Sequence, residues 1–181
     1  MKIYTKTGDA GMSGLYSGAR VSKADDVFDC LGDVDELNAM LGVASSSACP
    51  DGVRQQLSLV QAWLIDAGAC IATPAEDASA GKVQRTRFDA RHSGAVEGWI
   101  DALDAQLPKL TRFILPSGGV CAAHLHLART VCRRAERSLV RLGREDELAD
   151  VRVFVNRLSD YLFMAARVAA TEPEVEYRRS A

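Results

Sequence analysis

The chain has 181 residues, of which 48% are hydrophobic and 6% aromatic, and its 22 Lys and Arg residues nearly balance 24 Asp and Glu residues. This length fits one domain with a single buried core. The formal net charge of −2 gives no overall basic field, which argues against nucleic acid as a partner. Because aromatic residues are few, the composition favours a helical protein over a β-sandwich.

The N-terminal residues MKIYTKTGD contain no apolar signal-peptide core, and no part of the sequence is long and apolar enough for a membrane span. We therefore expect a cytoplasmic protein without a membrane partner. The cysteines form no C-x-x-C pair and lie in apolar patterns, which predicts reduced core residues. They are Cys30, Cys49, Cys70, Cys121 and Cys132. Neither they nor the three histidines show the paired spacing of a zinc site.

Residues 4–18, YTKTGDAGMSGLYSG, form a glycine-rich segment close to the N-terminus. Backbone N–H groups in such a turn, together with Thr and Ser hydroxyls and Lys6, predict an anion cradle. The segment contains neither the G-x-x-x-x-G-K-[ST] pattern of a P-loop nor G-x-G-x-x-G. Composition alone leaves a disordered polar tail as the alternative.

Apolar residues with helical spacing predict five helices in the remaining chain. The predicted helices are residues 25–44, 50–71, 95–107, 120–142 and 147–170. Residues 74–91 mix Pro, Gly and charges and are predicted to form a loop, while Ser117 is a candidate cap for the fourth helix. The pattern predicts an all-α, antiparallel five-helix bundle of residues 25–171. An N-terminal segment, 1–24, and a tail, 172–181, complete one domain of residues 1–181.

Four arginines recur every fourth residue in the predicted fourth helix, and we call this row the arginine stripe: Arg129, Arg133, Arg137 and Arg141. Residues four apart lie on one helix face, and the first three span about 12 Å. Guanidinium groups are permanently charged and bind phosphate in bidentate fashion, so the stripe suits a polyphosphate. The alternative is a solvated or interfacial face whose arginines pair with carboxylates.

Carboxylates near the stripe support that alternative. The first predicted helix carries Asp33, Asp35 and Glu36, and an ion pair from there would position the stripe without taking part in chemistry. In the fifth predicted helix, the polar residue Asn156 lies in VNRLSDYLF. Its side chain could hold a ligand or could serve only backbone hydrogen bonding.

Several motifs, taken in order, resemble the ATP:cob(I)alamin adenosyltransferases of the propanediol-utilisation type. They are YTKTGDAGMSGLYSG, the following Lys23, VFDCLGDVDELNAMLGVA, FILPSGG, ARTVCRRAER and VNRLSDYLF, and they extend from residue 3 to about residue 170. The resemblance implies a five-helix homotrimer with an active site at each subunit interface. It also implies that cobalt(I) of reduced cobalamin attacks the 5′ carbon of ATP, giving adenosylcobalamin and triphosphate. Magnesium, a reductase and an adenosylcobalamin-dependent mutase are the implied cofactor and protein partners.

The resemblance also implies roles for individual residues. For ATP, the implied contacts are Tyr4, Thr5, Lys6, Thr7, Gly8, Ser13, Gly14, Lys23, Arg133, Arg134, Glu136, Arg137 and Asn156. Asp35 and Arg129 match a pair that the family uses across the subunit interface near the corrinoid. Phe113 matches an aromatic residue beneath the corrin ring, although ordinary core packing would also explain an aromatic residue there.

Two positions depart from the family pattern. Many relatives have Lys where this chain has Ala10, and a second Ser or Thr where it has Gly14, so the loop lacks one charge and one hydroxyl. Residues 74–91 match the family poorly, and no role is transferred to them. A non-catalytic corrinoid or ATP sensor or carrier on the same fold is the alternative function.

Overall fold

The computed structural model describes residue 4 and residues 6–179. In this part of the chain, a small two-stranded sheet precedes a helical bundle. The elements are β1 (Met12–Gly14), β2 (Arg20–Ser22), α1 (Asp26–Ser46), α2 (Asp51–Ile71), α3 (Ala80–Thr86), α4 (Arg91–Asp104), α5 (Val120–Leu142) and α6 (Ala149–Val168). The mostly helical fold with five long helices is confirmed, while the short helix α3 was not predicted.

The observed boundaries correct three details of the prediction. Helix α4 begins at Arg91, earlier than predicted, because the Asp89 side chain accepts the Arg91 backbone N–H at 2.9 Å. Residues 74–91 are not a plain loop, since they contain α3. Ser117 does not cap α5: its hydroxyl donates to the Leu115 carbonyl and accepts from the Val175 N–H.

The long helices form one packed series. Helix α1 packs between α2 and α5, α5 packs on α6, and α6 packs on α4. Consecutive long helices run antiparallel, whereas α4 and α6 run in the same direction, as the contacts of Arg157 with Glu97 and of Arg167 with Pro108 indicate. Trp63 of α2 stacks on Trp99 of α4 at 5.4 Å between ring centroids. The apolar faces of all five helices therefore meet in one core.

Charged residues align α1 against α5. Arg134 pairs with Asp33 and Glu36, and the Ser138 hydroxyl donates to the same Asp33 carboxylate. Near the end of α5, Arg141 pairs with two aspartates in the first turn of α1, Asp26 and Asp29. These contacts fix the rotation of α5 about its axis. They also turn part of its arginine-rich surface toward α1.

The two strands form a hairpin that stands at the start of α1. They pair antiparallel, with Ser13 opposite Val21, and the connecting turn is closed by a hydrogen bond from the Leu15 N–H to the Ala19 carbonyl at 2.8 Å. Leu15 is buried, and the Ser17 N–H donates to the Ala72 carbonyl at the end of α2. The turn of the hairpin is therefore attached to the bundle.

The segment after α6 returns along the segment before α5. The Leu115 N–H donates to the Val175 carbonyl and the Tyr177 N–H donates to the Phe113 carbonyl, both at 2.8 Å. The buried Arg167 strengthens this pairing, because its guanidinium donates to Glu174 and to the Pro108 carbonyl. Residues after α6 thus hold the FILPSGG segment in place.

All five cysteines are buried and free, as predicted. Among the described residues, no helix is both long enough and apolar enough to cross a membrane.

Candidate functional site

The structure divides the arginine stripe into two parts. Arg141 is paired with carboxylates of α1, as is the neighbouring Arg134. Within the described residues, Arg129, Arg133 and Arg137 form no ion pair with a carboxylate. Among the described residues, the Arg137 guanidinium donates to the Arg133 carbonyl alone, at 3.0 Å, and the buried Arg129 Nε has no hydrogen-bond partner. Three consecutive guanidinium groups of the stripe are therefore free to bind an anion.

Two of these arginines border a cavity between α4, α5 and α6. Its volume is about 520 Å³, and Arg129 and Arg133 line it together with Phe163. The opposite wall carries carboxylates of α4, including Glu97, which pairs with Arg157 at 2.7 Å. The cavity thus offers cations on one wall and an apolar ring nearby.

A chain of polar contacts continues from this cavity toward the start of α6. The Asn156 side-chain amide donates to Glu136 at 2.7 Å, and Arg157 donates to the Asn156 amide oxygen at 2.9 Å. Glu136, Asn156 and Arg157 line a second cavity of about 390 Å³. Asn156 is therefore oriented by two charged side chains, so its side chain does more than satisfy the backbone.

Phe113 stands at the other end of the bundle. Its side chain is 84% exposed, which rules out ordinary core packing. It borders a third cavity, of about 680 Å³, together with Leu110, Phe163 and Arg129. Because Arg129 lines both this cavity and the cavity at Arg133, the two are adjacent. An exposed ring beside apolar side chains can receive a large flat ligand.

The glycine-rich segment folds back on the hairpin. Arg20 donates to the Thr7 carbonyl at 2.7 Å, and the Lys23 N–H donates to the Gly11 carbonyl at 2.8 Å. The Lys23 ammonium lies so close to Gly8 that a Cβ there would meet it at 3.0 Å. Two cations, Arg20 and Lys23, thus contact the described residues of this segment, and its role as an anion cradle stays a prediction.

The candidate site residues described above lie toward two ends of the bundle. The hairpin turn contacts Ala72 at the end of α2, and Arg144, just after α5, donates to the Ile71 carbonyl there. Glu136 and Asn156 face the same end, whereas the start of α5, beside Phe113, lies at the opposite end. The free arginines of α5 lie between them.

Some predicted residues are not brought together within one chain. Asp35 is exposed on α1 and forms no ion pair with Arg129 among the described residues. Ser13 and Gly14 belong to β1, and a Cβ added at Gly14 would face open space within the described part of the chain. Tyr4 is 63% exposed, the Lys6 ammonium lies 5.8 Å from its ring centroid, and Thr5 lies outside the described residues. The roles of these residues stay predictions.

Sequence reasoning missed two contributors to these cavities, Arg157 and Phe163. Both belong to VNRLSDYLF, so the motif contained them, but only the fold shows which cavity each one lines. Nearby, burial and the Arg129 charge lower the pKa of His126, and its ring lies 6.0 Å from that of Phe163. A neutral His126 adds no positive charge beside the cavity.

The described residues contain no group of three or more His, Cys, Asp or Glu side chains that could hold a metal ion. Magnesium in nucleotide enzymes is commonly held by one or two carboxylates and by the substrate phosphates, so a cage of protein ligands is not required.

Comparisons with known proteins give a consistent result. The family model for cobalamin adenosyltransferase matches residues 3–169. The corrinoid adenosyltransferase MMAB of Homo sapiens is 46% identical over 174 residues, which cover 93% of this chain and 69% of that protein. The corrinoid adenosyltransferase of Bacillus subtilis (strain 168) is 40% identical over 189 residues, which cover 100% of this chain and 94% of that protein.

Solved structures resemble the whole chain. One is a phenylalanine-to-alanine variant of the PduO-type ATP:corrinoid adenosyltransferase from Lactobacillus reuteri, complexed with cobalamin and ATP. It has a TM-score of 0.88 and 37% identity, and the match covers 98% of this chain and 100% of that chain. An arginine-to-lysine variant of the same enzyme, complexed with ATP, has a TM-score of 0.87 at 37% identity over 97% of this chain. From the family match and these similarities, the chain belongs to the cobalamin adenosyltransferase family.

Proposed function

We infer that the protein is a corrinoid adenosyltransferase, which transfers the 5′-deoxyadenosyl group of ATP to cob(I)alamin and releases triphosphate. The observation that carries this assignment is a row of three guanidinium groups, those of Arg129, Arg133 and Arg137, which have no carboxylate partner among the residues that the structure describes. They lie between a polar cavity at one end of the bundle and an apolar cavity at the other. The family match and the ligands of the similar enzyme support the same assignment.

The reaction does not require a protein base. The electron pair of cobalt(I) forms the bond to the 5′ carbon while the bond from that carbon to oxygen breaks, and its electrons leave with the triphosphate. The protein therefore has to hold the two substrates in line and stabilise the leaving group. Cobalt supplies the nucleophile, and the protein supplies orientation and charge.

At the nucleotide end, we assign phosphate binding to Arg133 and Arg137 together with Lys6 and Lys23. Charge-assisted hydrogen bonds to phosphate are about twice as strong as neutral ones, and several of them suit a triphosphate. The glycine-rich segment adds backbone N–H groups. Asn156, oriented by Glu136, is assigned to the nucleoside. Magnesium bound to the phosphates would reduce the charge that develops on the leaving group.

At the corrinoid end, Phe113 provides an apolar wall. Reduction of cobalt(II) to cobalt(I) is difficult while an axial base remains bound. An exposed ring pressed against the corrin would exclude a lower ligand and favour the four-coordinate state that is easier to reduce. The exposure of Phe113 within a cavity lined by Leu110 and Phe163 suits this role.

The homotrimer is part of the same proposal. The buried Nε of Arg129 has no partner in the described part of the chain, and Asp35 is exposed on another helix. If the Asp35 side chain of a second copy of the chain reached this Arg129, each of the two side chains would gain an ion-pair partner. We accordingly place the site between subunits of a cytoplasmic enzyme that receives electrons from a reductase and delivers its product to a mutase.

An anaerobic assay tests the assignment. Reduced cobalamin with ATP and magnesium should give the spectrum of adenosylcobalamin and one triphosphate per product molecule. Binding of both ligands without triphosphate would instead indicate a sensor or carrier.

Substitution of Arg133 tests the phosphate site. Arg133→Ala should weaken ATP binding by about 1.5–3 kcal/mol, or about 10- to 100-fold in Kd, because a charge-assisted contact is lost. Arg141→Ala is the matched control, since that arginine belongs to the same stripe but is paired with α1. Equal ATP affinities of the two variants would contradict the role of the free arginines.

A further inference from the structure

The connection between α2 and α4 contains a contact that the proposed function does not use. Within α3, the Lys82 ammonium donates to the Ser17 carbonyl at 2.8 Å and to the Tyr16 carbonyl at 3.1 Å. It also lies 5.7 Å from the centroid of the Tyr16 ring. An ammonium group has three N–H donors, and two carbonyls and a ring face can occupy all of them. Helix α3 is therefore bound to the turn of the hairpin through the Lys82 side chain.

This turn is the fixed end of the hairpin. Leu15 and Ser17 are buried, and the Ser17 N–H donates to the Ala72 carbonyl at 3.3 Å. Gly18 has φ +107, a left-handed conformation that a glycine adopts readily. The opposite end of the hairpin carries residues 6–11 and Lys23, where the Lys23 N–H donates to the Gly11 carbonyl and the Lys23 ammonium lies beside Gly8.

A small rotation at the fixed end is amplified at the other end. Each strand has three residues, and at about 3.3 Å per residue the hairpin reaches about 10 Å from its turn. A rotation of about 10° at the turn would then move residues 6–11 by about 2 Å. Charge-assisted hydrogen bonds to phosphate are about 2.7–2.9 Å long, so a displacement of this size would weaken the contacts of residues 6–11 and Lys23 with a bound nucleotide.

We propose that Lys82 is a positioning residue that holds the hairpin turn and thereby sets where residues 6–11 and Lys23 meet the nucleotide. The proposal rests on the proposed function, because it assumes that this end of the hairpin binds ATP. It gives a role to residues 74–91, to which the family resemblance assigns none. The connection between α2 and α4 would therefore influence ATP affinity without touching ATP.

Four variants test the proposal. Lys82→Ala removes the side chain, Lys82→Met keeps its apolar stem but not its donors, and Lys82→Arg keeps the charge and the donors. Arg85→Ala is the matched control, because Arg85 is an exposed cation on the same helix and, among the described residues, the hydrogen bonds from this helix to the turn come from Lys82. Thermal unfolding, together with hydrogen exchange of α5, verifies that each variant is folded.

Three quantities are measured: amide hydrogen exchange of residues 12–22 without nucleotide, the Kd for ATP with magnesium by calorimetry, and kcat and KM for ATP. For Lys82→Ala and Lys82→Met we expect faster exchange and an increase of about tenfold in Kd and KM, the effect of losing charge-assisted bonds that hold the turn. We expect kcat at saturating ATP to stay within about twofold, since the reacting atoms are not touched. Lys82→Arg should restore ATP affinity, and Arg85→Ala should resemble the wild type.

Unchanged ATP affinity in Lys82→Met would overturn the proposal, whether or not the exchange of residues 12–22 becomes faster. So would equal losses in Lys82→Met and Arg85→Ala, because a general charge effect would then explain both. If the wild type itself shows no saturable binding of ATP, the proposed function fails first and the nucleotide role of Lys82 fails with it. Hydrogen exchange in the nucleotide-free protein does not require ATP binding. It therefore still reports whether Lys82 holds the turn, even if the proposed function fails.

Discussion

The ion pair between Arg167 and Glu174 allows a direct test of what stabilises the end of the bundle that carries Phe113. Arg167 is nearly enclosed, with 3% of its side chain exposed, whereas 26% of the Glu174 side chain is exposed. The Arg167 guanidinium donates to Glu174 at 3.0 Å and to the Pro108 carbonyl at 2.9 Å. One buried cation thus connects α6 with two segments: the one that precedes Phe113, at Pro108, and the one that follows α6, at Glu174.

The two partners should differ in the effect of their removal. Glu174→Ala leaves a buried cation with a single carbonyl partner, and breaking a buried pair in this way costs about 3–5 kcal/mol. Arg167→Met leaves a carboxylate that can reach water and fills most of the vacated volume, so we expect a loss of about 1–2 kcal/mol. In the double variant the buried charge is absent, and its stability should be close to that of Arg167→Met alone.

Urea unfolding of the two single variants and the double variant measures these free energies as a double-mutant cycle. Glu172→Ala, which removes an exposed carboxylate from the same segment, serves as a control and should change stability by less than about 0.5 kcal/mol. If Arg167→Met is the more damaging single change, or if the losses add in the double variant, the buried cation does not depend on Glu174 and the reasoning is wrong.

Three further predictions concern the backbone, a histidine and a thiol. Gly118→Ala should lower the free energy of unfolding by about 3 kcal/mol, because φ is +93 and the new Cβ would lie 2.8 Å from the Ala170 Cβ. Urea unfolding measures this loss, and an unchanged midpoint would contradict the geometry. Burial and Arg129 lower the pKa of His126 below its ordinary value of 6.5, so the unfolded chain binds the proton more tightly and stability should fall as pH decreases through that value. His126→Gln should lose less stability between about pH 7 and pH 5.5 than the wild type, and equal losses would exclude this histidine as the source. Burial raises the pKa of Cys30 to about 12, and we expect this thiol, identified by peptide mapping, to react with a disulfide reagent only after unfolding.

The sequence predicted the long helices well because their boundaries are encoded locally. Helix α5 matches its predicted range, and Gly143, with φ +73, ends it as expected of a residue at that position. The start of α4 was missed because its first turn, RHSG, carries almost no apolar periodicity, although the Arg91 N–H there donates to the Asp89 side chain. The short α3 is fixed by tertiary contacts such as that of Lys82 with the hairpin.

The arginine stripe could be predicted from spacing, but spacing does not show which of its arginines pair with α1 and which line a cavity. Arg134 and Arg141 point toward α1, while Arg129 and Arg133 line a cavity, and this difference depends on how α5 is rotated against its neighbours. The exposure of Phe113 also depends on contacts that are distant in sequence, since residues about sixty positions further along the chain hold its backbone. Local patterns thus indicated the chemistry of the site, and only the packing shows which side chains are available for it.

The burial of every cysteine has a consequence for the metal in the substrate. A thiolate, not a thiol, ligates metals, and burial raises the pKa of Cys30, Cys49, Cys70 and Cys132, while Cys121 is also enclosed. The folded protein therefore presents no sulfur anion of its own that could coordinate oxidised cobalt on its lower side. A core that contains five thiols is in this way compatible with the proposed corrinoid substrate.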